Sequence, residues 1–411
     1  MIKLEFVLLS LMIISTLAAG WVSLFGLMPL YSFFLVFALV VGFINRRVSY
    51  FFLYTALACL LFVGLVLLSG GEGSVSFAAN ILSGVAISYI AYIVIRSDFR
   101  YFFQLYKSIL LVQTIALFVG FFQSFFNIGF FLDTQYVSET GGASPAGLSS
   151  MQYAFARNFF PLVSIFLAYL FLRMRGLRFD KKLERLVILS GLVGGLGIAV
   201  SNSRSAMIGT FMVSLGFAIW NVGLLRLLKS KYFLFFMAVA LVSLLLMLQA
   251  KPMFENGEAN YNTFSRFYLW GATLQVFLEN PILGVGAGEI RGALDRVLGS
   301  SSTSVVERMP HNIYFQLLAE TGLVGTVLFF APFVLAVRAV FNQLSKTKEP
   351  YRRLMYSAIG VYFFIFAIDS TFHNHLNDNL YWLFLGAAIA AISPKFKYYN
   401  AQLTQNCRRG E

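Results

Sequence analysis

Residues 311–337, HNIYFQLLAETGLVGTVLFFAPFVLAV, open on a histidine and an asparagine and continue as an apolar run with one carboxylate, Glu320. A run of this length is what a helix needs to cross about 30 Å of hydrocarbon. Pro310 stands just before it, where the missing N–H of a proline does no harm to a helix start. Wound as a helix from that point at about 100° and 1.5 Å per residue, His311, Tyr314, Phe315, Leu318 and Gly322 share a face, with Glu320 about 180° away and about 13 Å further along. On this reading the two titratable groups are not partners. His311 is expected at the membrane boundary, and Glu320 is expected to be neutral or bonded to polar groups of a neighbouring span.

Similar runs recur along the chain. Of its 411 residues 59% are hydrophobic and 12% charged, against about 25% charged in soluble domains. The apolar blocks are continuous and do not alternate, which favours helices over a closed barrel as the way to satisfy backbone groups in lipid. The expected fold is therefore all-α, a single integral membrane domain over 1–411 with about twelve transmembrane helices. They fall at 4–24, 29–45, 50–69, 77–95, 107–128, 154–172, 186–200, 206–225, 232–249, 312–337, 355–370 and 380–394. Segment 186–200 is short and glycine-rich, so a tilt, a kink or an extension into its neighbours is expected there. The first segment reads as a membrane helix, with a secretory signal peptide as the alternative.

The net charge of +13 is distributed by topology. With the N-terminus inside, alternate connections collect most of the basic residues, among them Arg46 and Arg47, the run from Arg173 to Arg185, and the group from Arg338 to Arg353. This is the positive-inside pattern. It accounts for the excess without a nucleic-acid partner and implies contact with anionic membrane lipids. Basic residues that fall on the other side ask for a reason of their own: Arg157, Arg204, Lys251, Arg266, Arg291, Arg296 and Arg308. Cys59, inside a span, and Cys407, in the basic tail, form no disulfide framework.

Two outer connections are long, Leu132–Tyr153 and Ala250–Pro310. The second, a large loop over 250–310, holds apolar residues at helical intervals, and an amphipathic helix over 264–279 with Thr263 as N-cap is expected on the outer membrane face. GVGAGE, residues 284–289, imitates a dinucleotide loop, but no strand precedes it, so a chain-redirecting turn is the better reading.

Three outer stretches carry chemistry. VSNSRSAMIG, residues 200–209, sets Arg204 among Ser201, Ser203 and Ser205. The planar fork of an arginine donates two parallel hydrogen bonds and suits phosphate. SRFYLW, residues 265–270, puts Arg266 in the first turn of the expected surface helix, where free amides and the helix dipole also favour an anion. His311 offers a neutral imidazole near neutral pH, able to accept a proton. A fourth stretch, DSTFHNHLNDN at 369–379, groups Asp369, His373, His375 and Asp378. Capping of two helix ends explains it more simply than a metal site does. No DxD-like carboxylate pair, Walker loop or nucleophile elbow occurs, so nucleotide-sugar or ATP chemistry lacks its usual parts.

SNSRSA, then SRFYLWGATLQVFLENPILGVGAG, then HNIYFQLLAETGLVGTVLFF, in this order and on this topology, resemble the O-antigen ligase and polymerase superfamily. The last stretch fits the ligase pattern of His, Asn/Ser/Gln, nine residues, Gly, two residues, then Gly, Thr or Tyr: His311, Asn312, residues 313–321, Gly322, Leu323, Val324 and Gly325. The resemblance covers residues 190–394, with hydropathy alone behind it before that. It implies a membrane glycosyltransferase of the GT-C type in the bacterial inner membrane, with a periplasmic site, a donor glycan on undecaprenyl diphosphate, and neither metal nor cofactor. Carried onto this chain, Arg204 and Arg266 would bind the diphosphate, and His311 would be the general base in one inverting displacement. Arg157, Ser203, Arg291, Arg296, Arg308 and Asn312 are candidate substrate contacts, and Glu320 would support the site from behind.

The acceptor separates two readings. An O-antigen ligase joins the glycan to a hydroxyl of lipid A–core lipopolysaccharide, and a polymerase joins one lipid-linked repeat to another. A transporter or lipid-linked oligosaccharide flippase is a third reading, suggested by the basic stretch 173–185 after the sixth span. The absence of an internal repeat and the placing of polar motifs away from the midplane count against it.

Overall fold

The computed structural model describes residues 6–7, 9–11, 49–71, 73–126, 152–201, 203–222, 258–299, 309–373 and 378–393. The expected spans 4–24, 29–45 and 232–249 fall wholly or largely outside them, as do Arg308, His375 and most of the loop 132–153. Every regular element among the described residues is a helix. In chain order they are α1 (Tyr50–Leu68), α2 (Ser74–Ser97), α3 (Arg100–Phe126), α4 (Gln152–Arg157), α5 (Phe160–Met174), α6 (Lys181–Ser201), α7 (Arg204–Val222), α8 (Glu258–Glu279), α9 (Ile290–Leu298), α10 (Ile313–Lys346), α11 (Pro350–Asp369) and α12 (Asn379–Ile392). Among the described residues six segments are long and apolar enough to cross a membrane: α1, α2, most of α3, 154–174 across α4 and α5, α6 and α10. Asn379–Ile392 and Ser205–Gly216 are shorter apolar helices. The chain is a polytopic, all-helical membrane protein.

The turns sort into two ends. At one, Phe103, Phe179 and the carboxylate of Asp180 all meet Tyr351, which brings together the turns that follow α2, α5 and α10. This is the end with the run Arg173–Arg185 and with Arg352 and Arg353. At the other, the α1–α2 turn touches the turn between α8 and α9, where Ser69 Oγ accepts from the Ala287 N–H at 3.4 Å. The starts of α7 and α10 and the far end of α11 lie at this second end.

The centre is α2, α5, α11 and α12. α5 is buried almost throughout, from Phe160 to Leu172. Tyr362 of α11 stacks on Phe384 of α12 with ring centroids 3.9 Å apart. Ser88 of α2 donates to the Trp382 carbonyl of α12 at 2.7 Å. By contrast α6 turns Leu189, Leu192 and Leu196 outward, and α10 does so with Leu323, Val327, Val334 and Leu335. In lipid such side chains need no protein cover.

The segment read as a short span at 186–200 is a helix of 21 residues that begins five residues earlier, at Lys181. Its glycines serve close packing: a Cβ at Gly191 would sit 2.3 Å from the Phe166 ring, and one at Gly197 would sit 2.4 Å from Phe159. Bare backbone there lets α5 lay its aromatic rings flat on α6, the small-residue packing that membrane helices use where hydrophobic driving force is absent.

Candidate functional site

The site end is organised by a break in α10. At Gly322 the backbone leaves the helical region (φ 64, ψ −168), although helix continues on both sides. In an unbroken helix the N–H groups of residues 323 and 324 would bond the carbonyls of 319 and 320. Here Leu323 N–H donates to the Pro281 carbonyl at 2.9 Å and Val324 N–H to that of Ile282 at 3.2 Å. The carbonyls of Ala319 and Glu320 accept instead from Val285 and Gly286, both at 2.9 Å. The turn between α8 and α9 therefore takes over all four backbone groups that the break releases. Left unsatisfied, each would cost several kcal/mol in a membrane interior.

Two glycines make this exchange possible. A Cβ on Gly284 would lie 2.4 Å from the Glu320 carbonyl carbon, and one on Gly322 would lie 2.3 Å from the Ile282 oxygen. Both also hold positive φ, 73° and 64°, where an L side chain is strained. The expected turn at 284–289 is present and has this further role. Glu320 is 1% exposed. Its Oε1 accepts from Gln316 Nε2 at 3.2 Å, and the backbone amides of Gly288 and Ile290 approach the same carboxyl group. These partners come from its own helix and from the turn between α8 and α9, and not from a neighbouring span, which was one of the two expected alternatives.

The start of α10 also departs from the sequence reading. The helix begins at Ile313, and Asn312 is its N-cap, with Oδ1 accepting from the N–H groups of Tyr314 at 2.9 Å and Phe315 at 3.1 Å. Pro310 and His311 precede the helix, so the face shared by His311, Tyr314, Phe315, Leu318 and Gly322 does not form. Asparagine wins the cap because its side chain supplies the acceptor that a first-turn proline cannot. His311 instead sits in left-handed backbone, φ 45, a region where His, Asn and Asp are the residues most often tolerated after glycine. Its neighbours fix it. Trp270 Nε1 donates to the Pro310 carbonyl at 2.7 Å, Asn312 Nδ2 to the Thr371 carbonyl at 3.0 Å, and Ile313 N–H to the Ser370 carbonyl at 3.1 Å.

α8 starts six residues before the expected 264–279, at Glu258, which leaves Thr263 inside the helix and not at its cap. Leu269 and Val276 of α8 form a small core with Ile290 and Leu294 of α9 and Ala319 of α10. Phe267, Tyr268, Leu274 and Leu278 point outward. Arg266 lies one turn before Trp270, on the same face by the i, i+4 rule. Trp270 bonds the residue next to His311, so the face of α8 that carries Arg266 is turned towards the end of the bundle that holds His311.

Ser203 and Ser205 flank Arg204, the first residue of α7, and both serines are buried. Their hydroxyls lie 3.3 Å apart, and Ser205 Oγ is 2.7 Å from His373 Nε2. The end of α11 that meets Asn312 and Ile313 on one side thus meets the start of α7 on the other. Arg157 pairs with Asp378 at 3.3 Å, their side chains only 11% and 10% exposed. Asp378 also caps α12, accepting from the N–H groups of Leu380 and Tyr381, which is the capping expected of this stretch. Arg291 and Arg296 lie on α9. Both are exposed, and the buried face of that helix is Ile290, Ala293 and Leu294.

Sequence reasoning missed Trp270, Gln316 and the Ser205–His373 contact. Trp270 was legible as an interfacial aromatic, but its bond to Pro310 joins residues 40 apart, and no local pattern signals such a contact.

The comparisons bear on this end of the molecule. Residues 186–330 match the family model described as Wzy_C, O-antigen ligase. The matched stretch runs from α6 into α10 and contains Arg204, Arg266, the turn at 281–289, His311 and the Gly322 break. None of the curated proteins matches the chain.

Proposed function

We propose, taking as premise that residues 186–330 carry an O-antigen ligase family domain, that the protein moves a glycan from undecaprenyl diphosphate to a hydroxyl of lipid A–core on the periplasmic face of the bacterial inner membrane. The architecture is read as GT-C-type. The observation that carries the reading is the meeting of three separate stretches around the end of α11: the start of α7 through Ser205 and His373, the Arg266 face of α8 through Trp270 and Pro310, and His311 through Asn312 and Ile313. They meet at the end of the bundle opposite the basic turns, as the positive-inside rule requires of an outward-facing site.

The chemistry assigned to them is a single displacement. The acceptor oxygen attacks the anomeric carbon and gives its proton to His311. The bond from that carbon to the diphosphate oxygen breaks, and undecaprenyl diphosphate leaves with the electron pair. Arg204 and Arg266 stabilise the charge that develops on it. Preorganised cations facing a leaving group often make the largest single contribution to such catalysis, and a positioned base adds about 10²–10⁴-fold. One displacement inverts the configuration at the anomeric carbon. Asn312 is engaged in capping α10 and in holding Thr371, so its contribution is to aim His311. Arg157 contributes through Asp378 in the same indirect way.

A polymerase of the same family would use the same donor site and differ in the acceptor. The deciding experiment reconstitutes purified protein in liposomes with lipid-linked glycan and offers either lipid A–core or further donor. Glycan on the core supports the ligase, and a longer lipid-linked chain supports the polymerase. Glycan moved across the bilayer with neither product refutes both.

A further inference from the structure

Residues 369–373, at the end of α11, lie beyond the family match, which stops at Phe330, yet they join its two halves. On one side the carbonyls of Ser370 and Thr371 accept from Ile313 N–H and Asn312 Nδ2, the two residues that follow His311. On the other, His373 Nε2 meets Ser205 Oγ at 2.7 Å, one residue after Arg204. Asp369 is buried behind this contact, where its carboxyl group interacts with Ser205, His373 and Arg157. α7 and α10 each pack on α11, which makes its end their shared support.

We propose that His373 is a positioning residue for glycan transfer: through Ser205 it fixes the start of α7, and with it Arg204, at the spacing from His311 that the displacement needs. The inference rests on the proposed transfer reaction. The Ser205 hydroxyl lies within hydrogen-bond reach of His373 Nε2 and of Ser203 Oγ, 2.7 and 3.3 Å away, which ties the imidazole to the start of α7. That engagement makes the imidazole a strut and not a second base. His311 is held by its own chain neighbours, and the side-chain tie between the start of α7 and the end of α11 is the Ser205–His373 contact. A misplacement of about 1 Å between reacting groups costs on the order of 10²-fold in rate, so the strut should be visible in kcat.

The test uses full-length protein in liposomes and compares wild type with His311→Asn, His373→Ala, His373→Gln, Ser205→Ala and the His373→Ala/Ser205→Ala double variant. The expected result is a kcat for His373→Ala lower by about 10–100-fold with the KM for lipid-linked donor within about twofold of wild type. His373→Gln, whose amide can still donate to Ser205, recovers most of the rate. The double variant is no slower than the slower single one, because both remove the same bond. The proposal is overturned by a wild-type rate in His373→Ala, by a glutamine variant as slow as the alanine one, or by single losses that multiply in the double variant. Spin labels at Ile208 on α7 and Val324 on α10, both exposed, read the spacing independently of activity in a Cys59→Ala/Cys407→Ser background. One narrow distance distribution that broadens in His373→Ala is expected, and an unchanged one overturns the proposal. Absence of transfer by wild type refutes the transfer reading alone, and the label distances still decide the positioning claim.

Discussion

At the basic end of the bundle the turns are joined by exposed polar side chains: Asp98 with Arg100 at 2.7 Å, Arg173 with Glu184 at 3.7 Å, and the Asp180 carboxylate with the Tyr351 hydroxyl. At the opposite end the joints are buried and largely backbone. Four main-chain hydrogen bonds lock the turn 281–286 into the break at Gly322, and the Arg157–Asp378 pair is almost closed to solvent. Exposed ion pairs contribute roughly 0–1 kcal/mol each, so the basic end tolerates rearrangement. The buried joints hold their geometry because every alternative strands a polar group away from water. Buried, fully bonded joints hold one geometry, and exposed ones leave it free to change.

The largest test of this contrast is on activity. His311→Asn retains a residue that tolerates positive φ but cannot serve as the base. Transfer in reconstituted liposomes should fall by about 10²–10⁴-fold while the thermal midpoint in detergent stays within a degree or so of wild type. A variant with full activity would remove His311 from the reaction.

Next comes the buried pair. Arg157→Met leaves Asp378 uncompensated, and a loss of about 3–5 kcal/mol is expected for breaking a buried pair from one side. The matching change at the other end, Arg100→Met, should cost about 0–1 kcal/mol. Equal losses in denaturant unfolding would show that the two ends do not differ in this way.

The glycines give a similar pairing with smaller numbers. Gly322→Ala drives a Cβ into the Ile282 carbonyl as well as straining a positive φ, and about 2–4 kcal/mol is expected from the two effects together. Gly176, in the turn after α5, has φ 82 but open space around its missing Cβ, so Gly176→Ala should lose only about 1–2 kcal/mol. Thermal unfolding of the two variants side by side measures what the backbone exchange adds.

The smallest effect is a pH dependence at the basic end. Burial pushes the Asp180 carboxyl up, but the Tyr351 hydroxyl, the amides of Leu183 and Lys182, and the Lys182 charge outweigh it and hold it below the ordinary carboxylate value. A depressed carboxylate stabilises the fold fully above its unfolded pKa of about 3.9, and the contribution disappears as pH falls through the lower folded value. Because Asp180 is exposed, the amount is about 0.5 kcal/mol. Asp180→Asn should flatten that part of the stability profile below pH 4 and leave the motif end untouched.

Much of the bundle was legible as sequence. Continuous apolar blocks gave α1, α2, α3, α5, α7, α10, α11 and α12 their approximate positions, because a membrane span must be a long apolar stretch with its backbone satisfied internally. The positive-inside pattern separated the two ends, and the tight bracket of Arg173 to Arg185 between α5 and α6 fell where charge predicts. The candidate site was half legible. His311, Arg266 and Arg204 stood out as polar groups where apolar ones were due, whereas His311 lies before the helix and not in it, because Asn312 supplies the capping acceptor.

What the sequence determined by itself is therefore local: the helical class, the membrane setting, the gathering of basic residues at one end, and which residue types could handle a diphosphate and a proton. These follow from composition and from periods of a few residues. Only the tertiary structure decided that PILGVG would supply the hydrogen bonds which Gly322 releases from α10, that Trp270 would hold the carbonyl next to His311, and that the end of α11 would bridge Ser205 to Asn312. Those contacts join residues 34 to 168 apart in the chain. They depend on two backbones or side chains meeting within about 3 Å, and an amino-acid pattern does not encode that distance until the helices between them have packed.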